Sequence, residues 1–186
     1  MLDTERFIEE CKSALAEDAT HKAVREVVAR AVADPSNMLA ILGEPAEAAV
    51  HKLYHAPDLT ILNVVWAPQM TVMPHNHRMW AVIGIYVGAE DNIFWKRNER
   101  CIEAAGAQAL RAKDAVALGH NIIHSVSNPV DKLTAAVHVY GGDFFSASRS
   151  EWDPETLTEM PYDVEKTMRL FAQANARYAA SLHGMH

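Results

Sequence analysis

The spacing of apolar residues predicts helices at both ends of the chain. The apolar side chains in these stretches recur at helical intervals, and residues that favour helix ends flank them. These stripes predict packing surfaces and carry no evident chemistry. The predicted helices cover residues 3–18 with Asp3 or Thr4 as the cap, a second stretch from Thr20, a short third stretch from Asp34-Pro35-Ser36 to Leu42 before Gly43, and residues 162–182.

The middle of the chain, from about residue 50 to 147, has a different pattern. Short runs rich in β-branched and aromatic residues alternate with turn residues, which is typical of a β-sandwich or barrel. The predicted strands are Asp58–Trp66, Thr71–Met73, Met79–Val87, Asn92–Lys96, Ala115–Leu118, Ile122–Val126 and Leu133–Tyr140. The predicted turns include Ala67-Pro68, Gly88 to Asn92, Ala105-Gly106, Gly119 to Asn121 and Asn128-Pro129.

These patterns together predict one domain over residues 1–186. It comprises a helical N-terminal layer at 1–50, a β-barrel at 51–150 and a C-terminal helical segment at 151–186. A chain of this length is long enough to bury one full core.

Composition narrows the classes of partner and compartment. With 17 basic and 24 acidic residues, the net charge is −7 and the cations are scattered, which disfavours nucleic acid and anionic membrane as partners. No run approaches the ~18 apolar residues that a membrane helix needs. Cys11 and Cys101 are too few for a disulfide framework, so a reducing cytoplasm is predicted. The oligomeric state is left open.

Two histidines one residue apart, His75 and His77, stand just before the apolar run Trp80–Val87. On a strand, residues i and i+2 point to the same face, so both imidazoles could face the inside of a barrel. Imidazole is a common protein ligand for iron, zinc, copper and nickel. With 10 histidines in 186 residues, about 0.5 such pairs are expected by chance. The pair therefore needs support from elsewhere in the chain.

A second motif, His124 followed four residues later by Asn128, supplies that support. The early His-x-His and the later His-x-x-x-Asn resemble the two metal-binding motifs of the cupin superfamily. The resemblance implies a double-stranded β-helix, an antiparallel barrel of jelly-roll type. It also implies that His75, His77 and His124 bind one metal ion.

The glutamate of the first cupin motif is missing, because Ala81 and Val82 stand where it is expected. Glu90 and Asp91 lie further on, in the predicted turn. Three neutral imidazoles keep the full charge of a divalent ion and leave positions open for other ligands. An anionic substrate atom such as a thiolate could then bind, which is the arrangement in thiol dioxygenases.

The stretch Ala136–Phe144 resembles the His-x-Tyr strand of the cysteine and 3-mercaptopropionate dioxygenases, and Trp66, Trp80 and Gly84–Gly88 also fit that family. The resemblance covers roughly residues 58–145. It implies a ferrous enzyme that uses dioxygen to convert a small thiol of the cysteine or 3-mercaptopropionate type to its sulfinate. Tyr140 would then orient bound oxygen or substrate, and His138 would hold Tyr140 in place.

The chain departs from this family at two positions. Ala136 replaces the serine of the family's Ser-x-His-x-Tyr relay, which shortens the relay to His138 and Tyr140 unless Thr134 or water substitutes. Val82 stands where some cysteine dioxygenases carry a cysteine that is cross-linked to the tyrosine. We therefore expect Tyr140 to be unmodified.

The group that would bind a substrate carboxylate is less clear from sequence. Family members use an arginine upstream of the first motif. Here the candidates are Lys52 and His55, each with a solvated strand edge as the alternative interpretation, and Arg78. Strand alternation would turn Arg78 away from the face of His77.

Two other functions are compatible with these motifs. A three-histidine site with an open position also describes a zinc, nickel or manganese enzyme that catalyses hydrolysis or isomerisation. A metal-binding sensor without catalysis, with the flanking helices as its partner surface, is the second alternative.

Overall fold

The structure, a computed structural model, describes residues 3–99 and 101–183. Helices stand at both ends of this part of the chain, and the strands lie between them, as the sequence predicted. The elements in chain order are α1 (Thr4–Glu17), α2 (His21–Val32), α3 (Pro35–Leu42), β1 (Ala49–His55), β2 (Thr60–Trp66), β3 (Thr71–Asn76), β4 (Ala81–Val87), β5 (Ala89–Arg97), β6 (Ile102–Arg111), β7 (Ala115–Leu118), β8 (Ile123–Ser127), β9 (Thr134–Tyr140), β10 (Ser150–Trp152), β11 (Glu159–Pro161) and α4 (Val164–His183).

The strands form two antiparallel sheets. The first sheet has the order β1-β2-β9-β4-β7, and the second has the order β11-β10-β3-β8-β5-β6. Residues of both sheets line one cavity, which therefore lies between them. The predicted fold class, a mainly β double-stranded β-helix of jelly-roll type with N-terminal helices and a C-terminal helix, is confirmed. None of the described helices combines the length and the apolar character needed to cross a membrane.

The centre of the first sheet is covered on both faces. Every residue of β2 and β9 is buried, and α2 packs on β4 from outside the barrel. Gly84 makes this close approach possible, because a Cβ atom there would lie 2.5 Å from a methyl of Val28 and 2.8 Å from a methyl of Val32. The helices begin where predicted, with the side chains of Asp3, Thr20 and Asp34 accepting backbone N–H bonds at their starts.

Three of the strands that the sequence interpretation missed lie in the second sheet, and the fourth is β1, at an edge of the first sheet. The long strand β6 was not predicted because it is mostly exposed and rich in Ala, Gly and Gln, which have little strand preference. The predicted turn Ala105-Gly106 lies inside β6, where a register shift opposite Phe94 and Trp95 forms a bulge. The short strands β10 and β11 lie in the stretch that was expected to be helical.

The predicted turn from Gly88 to Asn92 is also wrong. Gly88 alone makes the turn, with a φ of 77°, and strand β5 begins at the next residue. The Thr134 hydroxyl closes the turn by accepting from the Ala89 N–H at 3.0 Å and donating to the Ala89 carbonyl at 2.9 Å. Consequently Glu90 is a fully buried strand residue rather than a surface turn residue.

The strand that carries the first histidine ends earlier than the strand argument assumed. A register shift between Val72 and His75 distorts β3, and the strand ends at Asn76. His77 lies in the bend that follows, where the exposed Arg78 has a φ of 57°. The next strand begins only at Ala81, so backbone bending rather than strand alternation places His77 beside His75.

Candidate metal centre

Three imidazoles meet inside the barrel. His75 on β3 lies opposite His124 on β8 in the strand register, and His77 joins them from the bend after β3. The Nε2 atom of His77 lies 3.2 Å from Nε2 of His75 and 3.3 Å from Nε2 of His124. All three side chains are buried, and their ligand atoms lie within 4.8 Å of one another. The structure thus brings together the three histidines that the sequence singled out.

Neighbouring oxygen atoms fix the orientation of two of these rings. His75 Nδ1 lies 2.9 Å from the carbonyl oxygen of Met73, and His124 Nδ1 lies 2.7 Å from Oδ1 of Asn92. Since an oxygen acceptor requires an N–H donor, Nδ1 carries the proton in both rings. Each Nε2 atom therefore points a lone pair toward the centre of the cluster.

This donor set fits a metal ion. The two inward lone pairs of His75 and His124 face one further nitrogen, Nε2 of His77, which can donate a single proton to one of them at most. Burial lowers the pKa of His75 to about 4 and those of His77 and His124 well below the ordinary value, so all three rings are neutral at pH 7. Neutral imidazoles with converging lone pairs are the form that binds divalent metals.

His138 and Tyr140 lie on β9 of the opposite sheet, facing the cluster. His138 Nδ1 is 3.0 Å from the Tyr140 hydroxyl, and the Tyr140 ring centroid is 5.0 Å from that of His77. Burial raises the pKa of Tyr140 and lowers that of His138 to about 3, so both are neutral. The hydroxyl is a hydrogen-bonding group beside the metal position rather than a phenolate.

Thr134 does not replace the missing serine of the relay. Its hydroxyl donates to the Ala89 carbonyl and lies 3.1 Å from Oδ1 of Asn128, at the far end of β9 from Tyr140. Ala136, two residues before His138 on the same strand face, has no polar side-chain atom. Nε2 of His138 has no hydrogen-bond partner among the described residues.

A buried glutamate approaches that unpartnered nitrogen, and the sequence interpretation missed it. Oε2 of Glu90 lies 4.0 Å from Nε2 of His138 and accepts a hydrogen bond from the indole N–H of Trp66 at 3.0 Å. Oε1 accepts from the side-chain amide of Asn92 at 2.9 Å. Burial raises the pKa of Glu90 to about 7.

A buried arginine, Arg149, was also missed because it lies in the loop between β9 and β10, outside any motif. Its guanidinium is sandwiched between two rings, 4.0 Å from the centroid of Phe144 and 4.2 Å from that of Tyr162. The side chain lines the same cavity as the three histidines, and Nη1 is buried without a hydrogen-bond partner in the described part of the chain. This is the arrangement expected of a cation that awaits an anionic ligand.

The cations proposed from sequence occupy other positions. Lys52 reaches the cavity only at its mouth, with its exposed side chain 5.7 Å from the ring centroid of Phe145. His55 lies 2.8 Å from the Asp143 carboxylate, a contact that lowers the pKa of Asp143. Neither His55 nor Arg78 lines the cavity. The exposed position of Arg78 agrees with the expectation that it turns away from His77.

The cavity has a volume of about 370 Å³ and a mainly apolar wall. Its polar groups are concentrated where the three histidines, Tyr140 and Arg149 meet. Both sheets and α4 supply the apolar wall, which includes Leu62, Val64, Val72, Val126 and Phe171. A mainly apolar pocket with a few convergent polar groups is the usual form of a small-molecule site.

No known family model matches the chain. Among solved structures, an RmlC-like cupin family protein with a double-stranded β-helix fold from Methanocaldococcus jannaschii is 13% identical, with 54% of this chain and 85% of that chain covered and a TM-score of 0.46. A Klebsiella pneumoniae protein with a double-stranded β-helix domain is 14% identical, with 58% and 83% covered and a TM-score of 0.47. The DMSP lyase DddQ from Ruegeria pomeroyi is 16% identical, with 59% and 53% covered and a TM-score of 0.47. Likeness at this level carries no argument about function.

Proposed function

We propose that this protein is a ferrous thiol dioxygenase-like enzyme whose substrate is a small thiol that also bears a carboxylate, of the cysteine or 3-mercaptopropionate type. The observation that carries the proposal is the coincidence, in one cavity, of a cluster of three histidines and a buried arginine that forms no ion pair with any described residue. A thiolate and a carboxylate on one substrate would complement these two features. Tyr140, beside the cluster, adds a hydrogen-bonding group at the place of reaction.

His75, His77 and His124 would hold the iron ion. Three neutral ligands leave its positive charge uncompensated, which favours an anionic sulfur ligand over a neutral one. When bound, the ion supplies the redox chemistry that allows dioxygen to react with a thiolate. The overall reaction balances without a further reductant, because both atoms of dioxygen are added to sulfur and the four electrons they accept come from that sulfur.

Arg149 would bind the substrate carboxylate. Its guanidinium is held flat between Phe144 and Tyr162, so little side-chain freedom remains to be lost on binding. A buried cation without an anionic partner is costly, none of the described residues forms an ion pair with Arg149, and a carboxylate that accepts two N–H bonds from the guanidinium would remove that cost. Anchoring the carboxylate there would also fix where the sulfur atom lies, which reduces the entropic cost of the reaction.

Tyr140 would orient the reacting groups. If His138 Nδ1–H donates to the phenol oxygen, the phenol proton is free to donate into the cavity. Because the pKa of Tyr140 is raised by burial, the hydroxyl keeps its proton at neutral pH and acts as a donor. The apolar wall keeps bulk water from competing for that donor.

The first experiment is metal analysis of the purified protein, since the same three-histidine set also suits zinc. The iron-loaded protein is then tested for oxygen consumption with cysteine, 3-mercaptopropionate and cysteamine, which lacks a carboxylate. We expect turnover with a carboxylate thiol, a sulfinate product carrying both oxygen atoms of labelled dioxygen, and poor turnover of cysteamine. Absence of oxygen uptake with every thiol at full iron occupancy would refute the proposal.

Substitution of Arg149 tests substrate recognition separately. Arg149→Met should raise KM for the carboxylate thiol by at least tenfold, since a charge-assisted bidentate pair is lost. It should change KM for cysteamine little. Arg111→Met, at an exposed arginine outside the cavity, is the matched control and should behave as the parent protein. An equal effect on both classes of thiol would assign Arg149 a structural role only.

A further inference from the structure

We propose that Glu90 is the positioning residue that orients both halves of the site, His124 through Asn92 and Tyr140 through His138. This inference does not depend on the reaction proposed above, because it concerns how side chains are held for any metal. Glu90 lies on β5 of the second sheet, and its carboxylate contacts Trp66 and approaches His138, both on the first sheet. It therefore connects the two walls of the barrel at one buried point.

The first connection leads to the metal cluster. Because Glu90 Oε1 is an acceptor, the atom of Asn92 that faces it at 2.9 Å is the amide nitrogen. The amide oxygen of Asn92 then faces His124 and accepts its Nδ1–H at 2.7 Å. Glu90 thus determines which way the Asn92 amide points, and Asn92 determines that the Nε2 lone pair of His124 faces the cluster. A reversed amide would place a proton on the nitrogen that must bind the metal.

The second connection leads to the tyrosine. His138 uses Nδ1 for the Tyr140 hydroxyl, and its Nε2 is buried without a partner, 4.0 Å from Glu90 Oε2. If Nε2 of His138 carries the proton, this N–H can donate to the Glu90 carboxylate. If Nε2 is unprotonated, a protonated Glu90 can donate to Nε2. A small rotation of either side chain closes the distance to a hydrogen bond. No serine is available at position 136, and Glu90 on the other sheet is the group that would supply the missing contact after that rotation.

The burial of Glu90 supports a specific role. Its exposed fraction is 0%, and a carboxyl group in such a place destabilises the fold unless its oxygen atoms are bonded. Both oxygen atoms accept a hydrogen bond from a buried side chain, Trp66 on one side and Asn92 on the other. The residues that satisfy the carboxylate are therefore also the residues through which it reaches the site.

Glu90→Gln tests the proposal with zinc as the probe. The amide has one acceptor atom in place of two, so it cannot accept from Trp66 and Asn92 together, and the Asn92 amide loses its fixed direction. We expect zinc affinity, measured by competition with a chromophoric chelator, to fall by about 10- to 100-fold, the usual effect of losing an outer partner of a metal ligand. Tyr86→Phe removes another buried hydrogen bond, the 2.8 Å bond to Asn63, and is the control expected to bind zinc within twofold of the parent.

Two further measurements separate positioning from a general loss of stability. Nitrogen-15 NMR of the zinc-loaded protein reports which nitrogen of His138 carries a proton, and Glu90→Gln should change that signal while Tyr86→Phe should not. Asn92→Ala cuts only the connection to His124, so it should weaken zinc binding and leave the His138 signal in place. Asn92→Ala can also be used to test the connection to His124 if the Glu90→Gln protein does not fold. Unchanged zinc affinity in Asn92→Ala, or in a folded Glu90→Gln protein, overturns the proposal, as does an unchanged His138 signal in folded Glu90→Gln.

Discussion

The two sheets of the barrel are built differently and contribute different parts of the site. The first sheet is covered by helices outside and by the cavity inside, and its central strands are buried along their whole length. The second sheet has a largely exposed β6, and Ile93 of β5 is 43% exposed while its neighbour Asn92 is buried. The second sheet thus has polar side chains inside and some apolar side chains outside, the reverse of the usual pattern.

This difference separates the metal ligands from the pair of side chains that faces them. The second sheet supplies His75 and His124, together with the carboxylate and amide that orient His124. The first sheet supplies the His138–Tyr140 pair on a strand that packing holds in place. Changes in the second sheet should therefore affect metal binding, whereas changes in the first sheet should affect stability or turnover with the metal retained.

The largest effect is expected from His124→Ala. Removing one of three ligands should lower metal affinity by more than about 100-fold and abolish stoichiometric binding, while apolar neighbours keep the barrel folded. Metal content after gel filtration and far-UV circular dichroism measure the two outcomes. His120→Ala, at an exposed histidine in the turn before β8, is the control. Full metal content in His124→Ala would remove His124 from the ligand set.

Acid should destabilise the metal-free protein by several kcal/mol. Burial lowers the pKa of His75 to about 4 from 6.5, so the unfolded chain binds protons in this interval that the folded chain does not. The contribution of the neutral histidines to the free energy of unfolding is fully present above about pH 6.5 and is lost as the pH falls toward 4. For His75 alone this loss is about 3 kcal/mol. Urea unfolding at pH 7.5 and 5 measures this loss, and His75→Gln should show a smaller one. Equal stability at both pH values in the parent would contradict the buried neutral cluster.

Over part of this pH range, the contribution of Glu90 to the free energy of unfolding changes in the opposite direction to that of His75. Its pKa is raised to about 7 from 4.5, so its contribution is present below pH 4.5 and is lost as pH rises through 7. Glu90→Gln should therefore steepen the loss of stability on acidification of the metal-free protein. The same urea series compares the two chains, and parallel pH profiles would show that Glu90 has no such effect.

A pair of glycine substitutions compares the packing of the two sheets. Gly84→Ala in the first sheet places a methyl group 2.5 Å from Val28, on a helix whose branched side chains have little freedom to move. We expect a loss of about 1 to 3 kcal/mol of unfolding free energy. Gly106→Ala in the second sheet meets nothing within 4 Å and should change it by less than about 0.5 kcal/mol. Equal effects in urea unfolding would show that the first sheet is not more tightly packed.

The effects expected within the His138–Tyr140 strand concern turnover and leave metal affinity unchanged. Tyr140→Phe should lower turnover of an active thiol by more than about tenfold and leave iron affinity unchanged, because the hydroxyl orients groups without binding the metal. Ala136→Ser, which restores the relay serine, should change turnover by less than about tenfold, since Glu90 already approaches His138. Steady-state oxygen consumption at matched iron occupancy tests both. A Tyr140→Phe protein as fast as the parent would exclude Tyr140 from the mechanism.

The same difference between the sheets explains part of what the sequence could predict, although the edge strand β1 of the first sheet was not predicted and β3 and β8 of the second sheet were. The strands of the first sheet that lie in its centre are continuous apolar runs, and the predictions for β2, β4 and β9 were correct to within two residues. The helices were equally clear from their periodicity and their caps. In contrast, β6 lacks an apolar face, and β5 begins with charged and amide residues that are typical of a turn.

The residues of the site also fall into those that the sequence could predict and those that it could not. His75, His77, His124, His138 and Tyr140 stand in short local motifs, and the structure brings all five together. Glu90 and Arg149 have no motif, and what distinguishes them is burial, which depends on how distant strands pair. The alternation of Glu90 and Asn92, two positions apart and shortly after Gly88, was the available sequence signal for an inward polar strand face.

The converging lone pairs of the histidine cluster also affect the lifetime of the protein in a cell. Without a cation, three nitrogen atoms that cannot all be hydrogen-bonded remain in contact, so the native state gains more from metal than the unfolded chain does. A metal that binds only the native state stabilises it by about 2.7 kcal/mol at a free concentration 100 times its Kd. Cellular metal supply would then set the population of unfolded chains open to proteolysis, and metal starvation would lower the abundance of the protein as well as its occupancy.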